Sequence, residues 1–153
     1  MKKPVTLRDF LTVDNPKLKE KEPDYCAHFR ATLRIAGKGL DFDEISRTLG
    51  LTPTATCRKG TAPGSRKPPR KHDLWLYTAP VPRDRPLDEH IMTIWRAVKP
   101  RMAYLRRLKQ KYNVDMFCGF QTNSCTGGFV VDQRCLGFFS KLDIPFGVSV
   151  IIV

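Results

Sequence analysis

With 153 residues, 41% hydrophobic and 27% charged, the chain has the material for one domain with its own core. It carries no apolar run long enough to cross a bilayer. The formal charge of +12 favours acidic companions of any kind, whether nucleic acid, acidic protein or anionic head groups. Five cysteines are an odd number, which argues against a disulfide framework and for a reducing compartment. The basic N-terminus lacks the apolar stretch of a signal peptide, so the expected location is cytoplasmic.

Residues 1–23 read as an arm, with Lys17, Lys19 and Lys21 interleaved with Glu20 and Glu22, and residues 24–153 as one α+β domain. The first predicted strand covers 25–35, where His28, Arg30, Thr32 and Arg34 alternate with Ala27, Phe29, Ala31, Leu33 and Ile35. That period of two describes one buried and one wet face. A short helix follows: Asp41 is its N-cap, Glu44 stands three residues on, and Phe42, Ile45 and Leu49 share a face. Gly50, Leu51 and Pro53 then supply a left-handed exit and a stop. Strands are predicted at 54–59 and 73–79, on either side of a basic loop at 58–72.

The clearest helical periodicity runs from Leu87 through Ile91, Ile94, Trp95, Val98, Met102, Leu105 and Leu108 to Tyr112. Pro100 inside it predicts a kink or a split. A strand at 114–120, a polar turn at 122–128 and a returning strand at 129–131 come next. Asp132 is the predicted cap of a last helix carrying Leu136, Phe139 and Leu142, and a very apolar strand is predicted at 146–153. Residues 29–58 and 129–152 resemble each other, each reading as strand, short capped helix, exit through Leu and Pro, and strand. The expected fold is α+β, a mostly antiparallel sheet with helices on one face: a ferredoxin-like βαββαβ core extended by a further βαβ unit.

Between Cys57 and Trp75 stand Arg58, Lys59, Arg66, Lys67, Arg70 and Lys71, with no acid before Asp73. Pro and Gly keep this segment out of regular structure. A cationic loop held at both ends by a sheet suits docking of something anionic. Arg96, Lys99, Arg107 and Lys111 form a second basic group, on the arc of the long helix opposite its apolar stripe. Trp75 adjoins the loop and reads either as core or as an interface anchor.

Bond chemistry finds less support. The cysteines and histidines show no C-x-x-C or H-x-x-x-H spacing, so no metal and no cofactor is expected. Ser124 and Cys125 lie in a Gly-rich turn without a nucleophile elbow, and Gly127 and Gly128 lack phosphate-loop spacing.

Several motifs stand in a familiar order. Leu33, Ile35 and Gly37 give L-x-I-x-G; Asp43, Glu44, Ile45 and Ser46 lead to Leu49, Gly50, Leu51 and Pro53; Arg58, Lys59 and Gly60 form an R-K-G turn. Trp75 opens a strand, and Gly119, Asn123, Gly127, Gly128 and Phe129 precede the last unit. Over residues 25–153 this pattern resembles the bacterial domain-of-unknown-function 4279 family. The resemblance implies no agreed activity and no catalytic residues. The arm and the Pro-rich basic insertion at 62–71 depart from the family's pattern.

The reading that results is a non-catalytic binding module that meets an acidic protein partner through its cationic loop. The alternatives are a nucleic-acid-binding accessory domain, and a small-ligand sensor or enzyme with a pocket between sheet and helices. No membrane contact is expected. An open sheet has an edge strand that can pair two copies.

Overall fold

The computed structural model describes residues 25–62 and 64–153; the expected arm at 1–23 lies outside the described residues. Five strands and four α-helical segments follow one another: β1 (Ala27–Gly37), α1 (Phe42–Leu49), β2 (Ala55–Cys57), β3 (Asp73–Thr78), α2 (Leu87–Val98), α3 (Met102–Lys111), β4 (Asn113–Thr122), α4 (Gly137–Leu142) and β5 (Val148–Ile152). The strands form one sheet in the order β2-β3-β1-β4-β5. Pairs β2/β3, β3/β1 and β1/β4 are antiparallel; β4/β5 is parallel. The sheet is therefore mixed. Its first four strands meet the expected antiparallel arrangement, and the last does not.

Alternation decides which face is covered. Phe29, Ala31, Leu33 and Ile35 of β1 are buried, as are Val114, Met116, Cys118 and Phe120 of β4 and Trp75 of β3. In register, Leu33 lies between Tyr77 and Met116, and Ile35 between Trp75 and Val114, so these side chains share one face. The apolar stripes of the helices pack on it: Ile45 and Leu49 from α1; Leu87, Ile91, Ile94, Trp95 and Val98 from α2; Leu105 and Leu108 from α3; Phe138, Phe139 and Leu142 from α4. The opposite face carries no helix among the described residues.

The local rules hold at α1. The Asp41 carboxylate accepts the Glu44 N–H at 2.9 Å, and Gly50 takes φ 68°, a left-handed conformation that costs glycine little. Pro100 does split the long helix: α2 and α3 are joined by a 3-10 turn, Lys99–Arg101.

One expected element is absent. Residues 129–131 form no strand. Phe129 instead meets Phe29 and Phe120 in T-shaped contacts, with centroids 5.8 and 5.3 Å away, so side-chain packing holds the segment without a ladder. The second half of the supposed repeat consequently lacks its first strand, and residues 122–128 are not a hairpin turn. Asp132 does cap the next turn, accepting the Arg134 N–H at 2.8 Å, but that turn is a 3-10 helix, Gln133–Leu136, that leads into α4.

Candidate functional site: a cationic loop on an acid-anchored base

The predicted strand at 54–59 stops at Cys57 because the next two residues turn toward β3. Asp73, the first residue of β3, is only 6% exposed. One of its carboxylate oxygens accepts the Lys59 N–H at 2.8 Å. The other accepts the N–H groups of Gly39 and Leu40, both at 3.0 Å, and the Arg58 guanidinium at 3.3 Å. The Lys59 N–H first, then the Leu40 N–H and the Arg58 guanidinium, hold its pKa below the ordinary carboxylate value. A single carboxylate thus ties the entry of the loop, its exit and the turn after β1.

Above that base the loop walls pair. The Gly60 N–H donates to the Arg70 carbonyl at 2.9 Å, and the Arg70 N–H donates to the Thr61 carbonyl at 3.1 Å. Gly60 takes φ 85°, which explains a glycine at the end of the R-K-G turn. Nearer the tip, the Lys67 N–H reaches the Gly64 carbonyl at 3.3 Å. The basic segment is a short, rooted projection.

Its cations divide into two kinds. Arg58 is built into the fold: besides Asp73 it donates to the Leu40 carbonyl at 2.6 Å, and its guanidinium lies 3.9 Å from the centroid of the Phe42 ring. Lys59, Arg66, Lys67 and Lys71 are exposed, Arg70 is half-buried, and none of the five has an ion pair among the described residues.

Trp75 requires a correction. It is 0% exposed, and its indole N–H donates to the Ser46 hydroxyl at 3.0 Å, which in turn donates to the Phe42 carbonyl at 2.7 Å. Its side chain points to the helix-covered face, so it holds α1 to the sheet and cannot anchor a partner.

The helix cations do not join the loop. Arg96 lines a cleft of about 390 Å³ with Asp88, Glu89, Asp132 and Arg134. Arg107 lines a different one beside Asp41 and Glu44. Neither cleft includes a loop residue. Lys99 is exposed on the 3-10 turn. Two neighbouring cations are committed internally: Arg106 donates to the Lys141 carbonyl at 3.1 Å, and Lys109 to the carbonyls of Leu142, at 2.9 Å, and Asp143. Both meet the C-terminal end of α4, where unpaired carbonyls attract positive charge.

Burial pushes the thiols of Cys118 and Cys135 up to about 12 and about 11. Cys26 and His28 do meet, with Sγ and Nδ1 3.5 Å apart. Among the described residues no group of three or more His, Cys, Asp or Glu side chains is placed to hold a metal ion.

A second surface escaped the sequence reading. On the face without helices, Phe117 lies across Gly119, where a Cβ would come within 3.1 Å of the ring. The guanidinium carbons of Arg30 and Arg34 stand 5.8 and 5.4 Å from the Phe117 centroid, and Arg34 forms a two-pronged pair with Asp115 at 2.7 Å. The strand alternation put Arg30 and Arg34 on the wet face, but only the register with β4 brings Phe117 between them.

These features define an α+β sheet domain, helices on one face, with a basic loop rooted on a buried acid. The chain belongs to the family described as Domain of unknown function (DUF4279), whose model matches residues 27–152. The loop lies inside the matched range. Comparison with curated proteins and with solved structures finds no match.

Proposed function

We propose that this protein is a non-catalytic binding module that docks an acidic surface of another protein through its cationic loop. The observation that carries the reading is the uncompensated charge of Lys59, Arg66, Lys67, Arg70 and Lys71 on a projection whose root is fixed by Asp73. A rooted loop loses less freedom on binding than a floppy one, so more of its electrostatic attraction survives as affinity. The root also continues into β2, an edge strand whose Ala55 and Thr56 are exposed. Such an edge offers backbone groups that a polypeptide can pair with and a nucleic acid cannot.

A second reading, nucleic-acid binding, is favoured by one observation of its own: Phe117 on the open face of the sheet, with Arg30 and Arg34 over its ring. Single strands stack on such platforms and run their phosphates past arginines.

Fluorescence anisotropy with a polyglutamate peptide and with a single-stranded oligonucleotide separates the two. Docking through the loop predicts peptide binding that disappears in the triple variant Arg66→Ala, Lys67→Ala, Lys71→Ala and persists in Phe117→Ala. Oligonucleotide binding that survives the triple variant, is lost in Phe117→Ala and falls linearly in log–log salt plots would replace the first reading with the second.

A further inference from the structure

The loop stands at one edge of the sheet; the other edge has the opposite character. Five of the eight large apolar side chains exposed among the described residues lie between Phe146 and Val153. Val150, Ile151, Ile152 and Val153 are 56%, 53%, 62% and 64% exposed. Register with β4 places Val150 beside Phe120 and Ile152 beside Thr122 on the helix side, while Ile151 lies beside Gln121 on the open side. The strand β5 therefore shows apolar side chains on both faces. Its outer backbone edge has no neighbouring strand among the described residues.

Natural edge strands are blunted by lysine, proline, bulges or covering elements, because a bare edge pairs with whatever extended chain it meets. None of the blunting residues occurs within β5, and residues 144–153 contain no charge at all. On a molecule of charge +12, a strand without charged side chains lets a second copy approach with no cation of β5 facing a cation of β5. Arg30 and Arg83, which line a small hollow together with Ile151, belong to β1 and the segment after β3.

We infer that β5 is a self-association edge: two copies pair their β5 strands antiparallel about a two-fold axis through Val150, joining two five-stranded sheets into one. The sequence is self-complementary in that register. Val148 meets Ile152 of the second copy, Val150 meets Val150, and Ser149 meets Ile151, so β-branched pairs line the helix side. The cationic loops then stand at the two far ends of the joined sheet, leaving both free for the partner proposed above. A strand pair of this length hides less than the roughly 800 Å² per partner of a standard interface, so the dimer forms reversibly.

Sedimentation velocity on the full chain over a wide concentration range tests this. The expected result is a mass that rises from one chain to two with concentration. Raising the salt should strengthen the dimer, because the interface carries no charge and screening relieves the remaining repulsion between cationic copies. Val150→Lys and Ile151→Lys, both at sites more than half exposed, should hold the protein monomeric with unchanged circular dichroism. Ala55→Lys, at the opposite edge, should dimerise as the natural chain does. Hydrogen exchange of the unmutated protein should show amides of Val148–Ile152 gaining protection as concentration rises. A mass of one chain at every concentration overturns the inference. So does a dimer that survives both lysine substitutions, or β5 protection that is already complete in the monomer, which would mean that the chain covers its own edge.

Discussion

Arg58 offers the sharpest test of the division between structural and free cations. Replacing it with Ala removes a guanidinium stacked 3.9 Å from the Phe42 centroid, a 2.6 Å hydrogen bond to the Leu40 carbonyl and a 3.3 Å ion pair with Asp73. A stacked cation at a partly exposed site contributes about 0.5–1 kcal/mol. A hydrogen bond from a charged donor adds about 1.5–3 kcal/mol when desolvated. The Arg58 side chain is 58% exposed, which at least halves the latter. The expected loss is about 1–2.5 kcal/mol, or about 2–10 °C in Tm for a chain of this size. Arg58→Lys should recover less than half of it, because one ammonium cannot stack on Phe42 and serve both oxygens as the planar fork does. Thermal melts followed by circular dichroism, with Lys71→Ala as the matched loss of a free cation, provide the reading. Lys71→Ala should stay within about 0.5 kcal/mol of the natural protein. If Arg58→Ala melts where the natural protein does, or if Lys71→Ala destabilises as much, the separation into built-in and available charge is wrong.

Three further outcomes follow from geometry already described. Ser46→Ala leaves the buried Trp75 N–H without an acceptor and should cost about 1–3 kcal/mol in urea unfolding, while Trp75→Phe in the same background should cost less than it does alone. Acidification should act in two stages. Burial lowers the pKa of the His90 ring from 6.5, outweighing the opposing pull of the Arg85 and Pro82 backbone, so the unfolded chain takes up the proton first and Tm falls as pH drops below 6.5; His90→Leu should abolish that stage. The carboxyls of Asp73, lowered chiefly by the Lys59 N–H, and of Asp132, lowered to about 2 chiefly by the Arg134 side chain, are also below their unfolded value of 3.8, so their stabilisation persists until pH falls below that value. Titration with a thiol reagent at neutral pH should modify exposed Cys125 quickly, whereas Cys118 and Cys135, buried and with raised pKa values, should react only after denaturation.

The sequence disclosed those parts of the fold that depend on near neighbours. The alternation in β1, the Asp41 cap with its Gly50 exit and the break at Pro100 all appear where local chemistry puts them. The failures have a common origin in contacts far along the chain. Residues 129–131 have strand composition, but Phe129 finds Phe29 and Phe120 before its backbone finds a partner. Trp75 adjoins the loop in sequence, yet the register with Ile35 points it into the core. The loop itself was legible as charge and not as shape, because its root depends on Gly39 and Leu40, more than thirty residues before Asp73. The one acid that closes the basic run, Asp73, was visible in the sequence, and its isolation was the available clue to its task. The parallel direction of β5 follows from the α4 crossover, a topological fact that no residue of β5 announces.

The knot at Asp73 makes the loop replaceable. Because the ends are brought together by the carboxylate and the Gly60–Arg70 pairing, the entropy of closure is met at the neck, and lengthening the tip beyond it adds little. Residues 62–69 can therefore be exchanged like a cassette, with new charges or new lengths set on an unchanged sheet. A scaffold of that kind can change its companion by rewriting eight positions while every strand stays where it is.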